Sequence, residues 1–312
     1  MNQHPFRADP ALPLRGVLPV AQLPYHDDET IDFETLRREI DWLFECGANG
    51  VAMAMVTETL RITHAERQAV AACICDAVGQ RGASIISVGS ESTFEAVELA
   101  RHAESLGATA VMAIPPISVP PLADELIRYY QRIIDAISVP LIVQDASGYV
   151  GGAIGVQTMA KLLNEFGADR ILFKPEAAPL GPKLSELRDA TSGRAQVFEG
   201  SGGSALLDNY RRGIVGTMPG ADLVISIVAL WKALTLGDEA TAYRISLPLA
   251  ALVTMQVGLD GYLAIEKHLL VKQGVFRNVV TRGPVGWRLD AETCREVDRL
   301  FALLMDAIQR SF

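Results

Sequence analysis

The stretch Gly47-Ala48-Asn49-Gly50-Val51-Ala52-Met53-Ala54 decides the fold. Upstream of it, Phe33, Leu36, Ile40, Leu43 and Phe44 recur at helical spacing, so residues 33–46 read as an amphipathic helix that Gly47 closes. Downstream, residues 50–54 are continuously apolar, as expected of a parallel strand buried on both faces. The text returns about 60 positions later: a helix over 96–106 leads into Gly107-Ala108-Thr109-Ala110-Val111. That interval suits two βα units of roughly 30 residues each. A third instance, Arg212-Gly213-Ile214-Val215-Gly216, follows a helix over 204–211.

Working outward, eight apolar runs read as buried strands: 16–21, 50–54, 84–88, 110–114, 141–144, 171–174, 196–199 and 214–217. Helical patterns separate all of them. Eight parallel units within about 220 residues favour a closed (β/α)₈ TIM barrel of the α/β class over an open doubly wound sheet. No Gly-x-Gly-x-x-Gly follows the first run, so a dinucleotide fold lacks its marker. After Pro219 the pattern is helical, with stripes such as Ile227, Leu230, Trp231 and Leu234. The expected organisation is a barrel carrying the site over 1–223 and a C-terminal helical extension over 224–312.

Bulk properties narrow the partners. With 49% hydrophobic and 21% charged residues the chain has a soluble, globular composition. A formal net charge of −9 argues against nucleic acid or an anionic membrane, both of which need clustered Lys and Arg. Cys46, Cys73, Cys75 and Cys294 show neither zinc nor disulfide spacing and read as reduced thiols of a cytoplasmic protein. Residues 1–14 carry no signal-peptide pattern, and no apolar run reaches the ~18 residues of a membrane span.

In a barrel the chemistry gathers where the strands end at their C-termini. The sixth run ends Ile171-Leu172-Phe173-Lys174-Pro175-Glu176. A lysine there lies at the barrel mouth, where desolvation favours the neutral amine that a nucleophile requires. Glu176, two residues on, points to the same side and is either a proton-transfer group or an ion-pair partner. The fifth run ends Gln144-Asp145-Ala146-Ser147-Gly148-Tyr149, and the seventh opens into Gly200-Ser201-Gly202-Gly203. Asp145 and Ser147 have a capping alternative, and Ser201 one as a turn former. No His, Asp or Glu set has metal-ligand spacing, so no metal is expected.

With the lysine ending strand six, the glycine-rich turn after strand seven and the helical extension, the chain resembles the dihydrodipicolinate synthase / N-acetylneuraminate lyase family. The likeness runs from about Gly16 to the C-terminus and includes Thr57-Glu58 followed by Leu60-Arg61-Ile62-Thr63-His64-Ala65-Glu66. It implies that Lys174 forms an imine with a 2-keto acid, with no other cofactor, and that the protein is a homotetramer. The family's two carboxylate-binding threonines correspond to Met55 and Val56, which leaves backbone N–H groups and Thr57 for that role. Ile117 stands where a proton-relay tyrosine is usual, Gln144-Asp145 replaces Tyr-Asn, and Tyr149 replaces an arginine. Val143-Gln144-Asp145-Ala146, Lys174-x-Glu176, Ala113-Ile114-Pro115-Pro116 and Phe198-Glu199-Gly200 are similar to the 2-keto-3-deoxy sugar-acid dehydratase branch, notably the L-2-keto-3-deoxyarabonate type.

The expectation is therefore a metal-independent class I lyase. Lys174 is its nucleophile, Glu176 its base, and Tyr149 a further catalytic candidate. Met55, Val56, Thr57, Asp145, Ser118, Gly200, Ser201 and Val215 are the substrate-binding candidates. Dehydration of a 2-keto-3-deoxy sugar acid leads. Retro-aldol cleavage to pyruvate and an aldehyde, a dihydrodipicolinate synthase-like condensation, and a barrel that binds a keto acid without turning it over are the alternatives.

Overall fold

A computed structural model describes residues 14–311; the leaderless N-terminal segment expected from the sequence falls, but for Leu14, outside this range. Strands and helices alternate: β1 (Gly16–Val17), α1 (Phe33–Glu45), β2 (Gly50–Ala52), α2 (His64–Val78), β3 (Ala83–Ser87), α3 (Thr93–Ser105), β4 (Ala110–Ala113), α4 (Ala123–Asp135), β5 (Leu141–Asp145), α5 (Val156–Phe166), β6 (Ile171–Pro175), α6 (Leu180–Ala190), β7 (Phe198–Glu199), α7 (Leu206–Arg211), β8 (Gly216–Thr217) and α8 (Val224–Leu236). Each of the eight apolar runs holds a strand, and every pairing is parallel.

The ladders run β2-β3-β4-β5-β6 and β1-β8-β7. Single parallel bridges, Val20 to Ala52 and Phe173 to Val197, join them into a ring. Pro19 has no N–H to give the ladder, so β1 is shorter than its apolar run, and Pro219 likewise keeps β8 from extending past it. Pairing continues around the prolines: Val20 N–H donates to Pro219 O at 2.8 Å and Ala21 N–H to Ala52 O at 2.9 Å.

Successive side chains on each strand point to opposite faces, and the core divides accordingly. Leu18, Ala52, Ile85, Met112, Ile142, Leu172, Phe198 and Met218 fill the barrel interior. Val51, Val111, Val143, Ile171 and Phe173 face the surrounding helices. Helix starts follow their capping chemistry: Thr63 and Glu66 form a reciprocal capping box at α2, and Asp32 caps α1.

Helix α8 packs on β1 and so closes the ring of outer helices. The expected division at 223/224 falls between the last strand and this helix; on its contacts we assign α8 to the barrel. The extension is then α9 (Glu239–Val253), α10 (Gly258–Lys272) and α11 (Ala291–Gln309). Among the described residues no single helix is long and apolar enough to cross a membrane.

A fully buried ion pair fastens the extension to the barrel mouth, beside a part-buried one between Arg61 and Asp260 of α10. Lys267 of α10 donates to Glu58 Oε1 at 2.6 Å and to Val280 O at 2.7 Å, with both charged side chains fully buried. Its ammonium also sits 4.6 Å from the centroid of the Tyr25 ring, a cation–π contact. Removing one partner of such a pair leaves an uncompensated buried charge. Lys267→Met is expected to cost about 3–5 kcal/mol in urea denaturation, and adding Glu58→Leu to recover much of that loss.

Candidate functional site

Strand alternation sets the site. Leu172 lies in the barrel interior, so the next inward position on β6 is Lys174; Ile142 on β5 is likewise followed by Gln144. The β5–β6 register pairs Gln144 with Lys174, placing both in one layer above the apolar fill. Lys174 is only 4% exposed. Its Nζ lies 2.6 Å from Glu176 Oε1, and Gln144 Nε2 donates to the same oxygen at 2.9 Å. Burial pushes the Glu176 carboxyl up, while Lys174 and Gln144 pull it down. Lys174, Glu176 and the Gln144 amide thus form one hydrogen-bonded unit inside the barrel mouth.

This unit lines a narrow recess at the barrel mouth. Met55 and Val56, in the 3₁₀ turn after β2, form one wall. Tyr149 and Gly200 also border it. A Cβ at Gly200 would stand 2.5 Å from Glu176 Cγ, so only a glycine lets the carboxylate lie against that backbone. Burial raises the Tyr149 phenol well above its ordinary value.

The structure thus brings together Lys174, Glu176, Tyr149, Met55, Val56 and Gly200, and places the other candidates elsewhere. Thr57 Oγ1 donates to Ala21 O at 2.7 Å and accepts from Ala54 N–H, so it braces the turn. Asp145 accepts from Ser147 and Ile154 and is ion-paired with Lys183. Ser118 is exposed, its N–H directed to Glu91. The Ser201 hydroxyl donates to Glu199, which also accepts from Thr217. Val215 belongs to the apolar fill of the barrel. Ile117 packs with Met55, Ile114 and Tyr149 in an apolar cluster beside the recess.

Sequence reasoning missed the contribution of α10. Leu259, Tyr262 and Glu266 all line the recess. Tyr262 meets Tyr149 edge to face, with ring centroids 5.6 Å apart. Glu266 is fully buried and accepts from Gln22 Nε2 at 2.8 Å. A signal was present: Glu266-Lys267 interrupts the apolar positions Leu263, Ile265, Leu269 and Leu270 on one helix, and buried charge in an apolar helix needs a reason.

Three side chains of metal-binding type also come together from α10 and α11, which linear spacing did not foreshadow: His268, Cys294 and Asp298. Asp298 is already bonded to His268 at 2.9 Å and to Lys272 at 3.1 Å. Its charge is balanced as it stands, and we assign this set as an ion network.

Gly200→Ala, which forces Glu176 aside, is expected to lower stability by about 1–3 kcal/mol. Gly152→Ala is the control: it is exposed with open space at its Cβ and should be neutral or slightly stabilising in the same denaturation measurement.

The geometry has close counterparts. The Dihydrodipicolinate synthetase family model matches residues 13–301. The 4-hydroxy-tetrahydrodipicolinate synthase of Methanopyrus kandleri is 34% identical over 155 residues, 49% of this chain and 52% of that protein; the match spans about half the length of that relative. L-2-keto-3-deoxyarabonate dehydratase of Azospirillum brasilense is 28% identical over 284 residues, 87% of this chain and 88% of that protein. The crystal structure of dihydrodipicolinate synthase from Rhodopseudomonas palustris superposes with a TM-score of 0.85 at 25% identity, covering 94% of this chain and 98% of that one. From the lysine at the end of β6 to the ring of eight parallel strands, this chain belongs to the dihydrodipicolinate synthetase family.

Proposed function

We propose that this protein is a Schiff-base-forming lyase that dehydrates a 2-keto-3-deoxy sugar acid, with Lys174 as its nucleophile. The observation that carries the reading is the buried Lys174–Glu176 pair, 2.6 Å apart at the end of β6 and open to a recess. Family membership supports it. The 28% identity to L-2-keto-3-deoxyarabonate dehydratase across nearly the whole length supports the dehydratase branch.

The neutral Lys174 amine attacks the C2 ketone, and loss of water gives an imine. In its protonated form the imine draws electrons from C3, where Glu176 takes the proton. Backbone N–H groups of Met55 and Val56 hold the carboxylate of the keto acid, in a wall that offers no hydroxyl. Tyr149 closes the recess over the sugar chain. No step needs a metal. Val119 and Leu122, exposed apolar side chains in the loop after β4, support self-association, and we extend the reading to a homotetramer in the cytoplasm.

Retro-aldol cleavage shares the imine and differs in the bond released, so product identity separates the two. A semialdehyde of a 2-keto acid marks dehydration; pyruvate plus an aldehyde marks cleavage. Incubation with pyruvate followed by borohydride reduction is expected to leave a mass increment on the peptide containing Lys174 and none in Lys174→Ala. An unmodified wild-type peptide would rule out the covalent mechanism.

A further inference from the structure

Beside the recess lie three fully buried carboxyls with no cation to balance them. Glu39 of α1 accepts from Gln22 N–H at 2.8 Å, and Glu266 of α10 accepts from Gln22 Nε2 at 2.8 Å. Asp222, between β8 and α8, accepts from Gln256 Nε2 at 3.2 Å. Glu266 Oε1 and Asp222 Oδ1 crowd one point above Gly220: a Cβ there would be 1.9 Å from the first and 2.9 Å from the second. Among the described residues none of the three makes an ion pair, since the nearest ammonium, Lys267, is spent on Glu58. A buried carboxylate without a counter-charge keeps its proton. Burial pushes Glu39 and Glu266 well above the usual carboxylate range and Asp222 up to about 7.

Of the three, Glu266 alone lines the recess, together with Lys174 and Glu176. We infer that Glu266 is the catalytic acid of the reaction, giving its proton to the departing C4 hydroxyl, with Asp222 behind it as the group that restores that proton. The inference rests on the Schiff-base reading and supplies the acid that reading lacks. The steps balance. The C3–H bond breaks, its proton passing to Glu176 and its electron pair forming the C2=C3 enamine. The enamine then re-forms the iminium as C3=C4 forms and the C4–O bond breaks. The oxygen keeps that bond's electron pair, takes the Glu266 proton and leaves as water. Glu266, left as a carboxylate, recovers a proton from Asp222. Glu176 returns its proton to C3, the C5–H and C5 hydroxyl protons leave as C4 takes one up and the C5 aldehyde forms, and the proton left over restores Asp222. Water then hydrolyses the iminium, freeing Lys174 and the semialdehyde.

A like-charged neighbour keeps the donor protonated at neutral pH, which is what acid catalysis there requires. The groups facing Glu266 are Asp222 from the β8–α8 segment, Glu39 from α1, Tyr262 and Lys267 from its own helix, and Lys174 and Glu176 across the recess. Only Glu266 stands between the carboxyl group of three and the cavity.

The test uses the full chain and the Glu266→Gln variant in three assays: borohydride trapping with pyruvate, exchange of pyruvate methyl protons in D2O followed by NMR, and semialdehyde release from the stereoisomeric 2-keto-3-deoxypentonates. Pyruvate has no C4 hydroxyl, so the first two assays read Lys174 and Glu176 without the acid. The expected result is trapping and exchange within about 3-fold of wild type, while kcat for semialdehyde release falls by about 10²–10⁴-fold at little-changed KM. The alkaline limb of the wild-type kcat profile, where Glu266 loses its proton, should vanish from the residual activity. Asp222→Asn removes the group that restores the Glu266 proton, so kcat for semialdehyde release should fall and that limb should shift, while trapping with pyruvate, which does not use the acid, still occurs. Glu266→Gln turning over like wild type would overturn the inference, as would equal loss in all three assays, which marks a structural role. Wild-type trapping without semialdehyde from any pentonate would also overturn it while leaving the imine standing. Absence of wild-type trapping would fell the Schiff-base reading itself.

Discussion

The buried pair between Lys267 and Glu58 is the joint on which the site hangs. A (β/α)₈ barrel leaves its mouth open, and here the mouth is closed on one side by a helix that is not part of the barrel. Two charges withdrawn from water are costly apart and tolerable only in contact, so the 2.6 Å pair makes one register of α10 on the barrel far better than its neighbours. Glu58 sits at φ 53°, immediately after the 3₁₀ turn that walls the recess with Met55 and Val56. Holding Glu58 therefore holds that wall. Holding Lys267 holds Glu266, the residue before it, and Tyr262 about a turn earlier on the same helix.

The two buried lysines illustrate how environment divides roles between identical side chains. Lys267 gives its protons to a carboxylate and a carbonyl and rests on the face of Tyr25, with no opening beside it. Lys174 has the same kind of carboxylate partner at the same distance, but its pair opens on a cavity. Charge pairing alone would make both structural. What distinguishes Lys174 is access: it lines the recess, whereas Lys267 is not among the residues that line it.

Much of this was legible in the sequence because it depends on local periodicity. Apolar runs alternating with helical patterns identified all eight strands, since a strand buried on both faces has no polar side to alternate. Lys174 and Glu176 followed from the same period of two. Legibility failed where a polar side chain at a strand end had a choice of partners. Thr57, Asp145, Ser118 and Ser201 were all candidates by position, yet each is engaged by nearby backbone or by a charged neighbour. Short polar side chains satisfy loop backbone more often than they face a ligand, and which they do is settled by loop geometry. The α10 residues were hidden for a different reason. Their approach to Lys174 is a tertiary fact, joining positions nearly ninety residues apart, and no linear spacing encodes it.

Gly220 shows how tightly barrel and extension constrain each other. Any side chain at this position, just past β8, would collide with the Glu266 carboxyl and press on Asp222. The backbone of the eighth strand therefore has to be bare for the carboxyl to be seated. The carboxyl in turn needs Gln22, from the segment after β1, to accept a bond from. Gln22 also gives its backbone N–H to Glu39 of α1, so one bare position after β8 and one residue after β1 together seat a carboxyl from beyond the eight βα units against the mouth of the barrel.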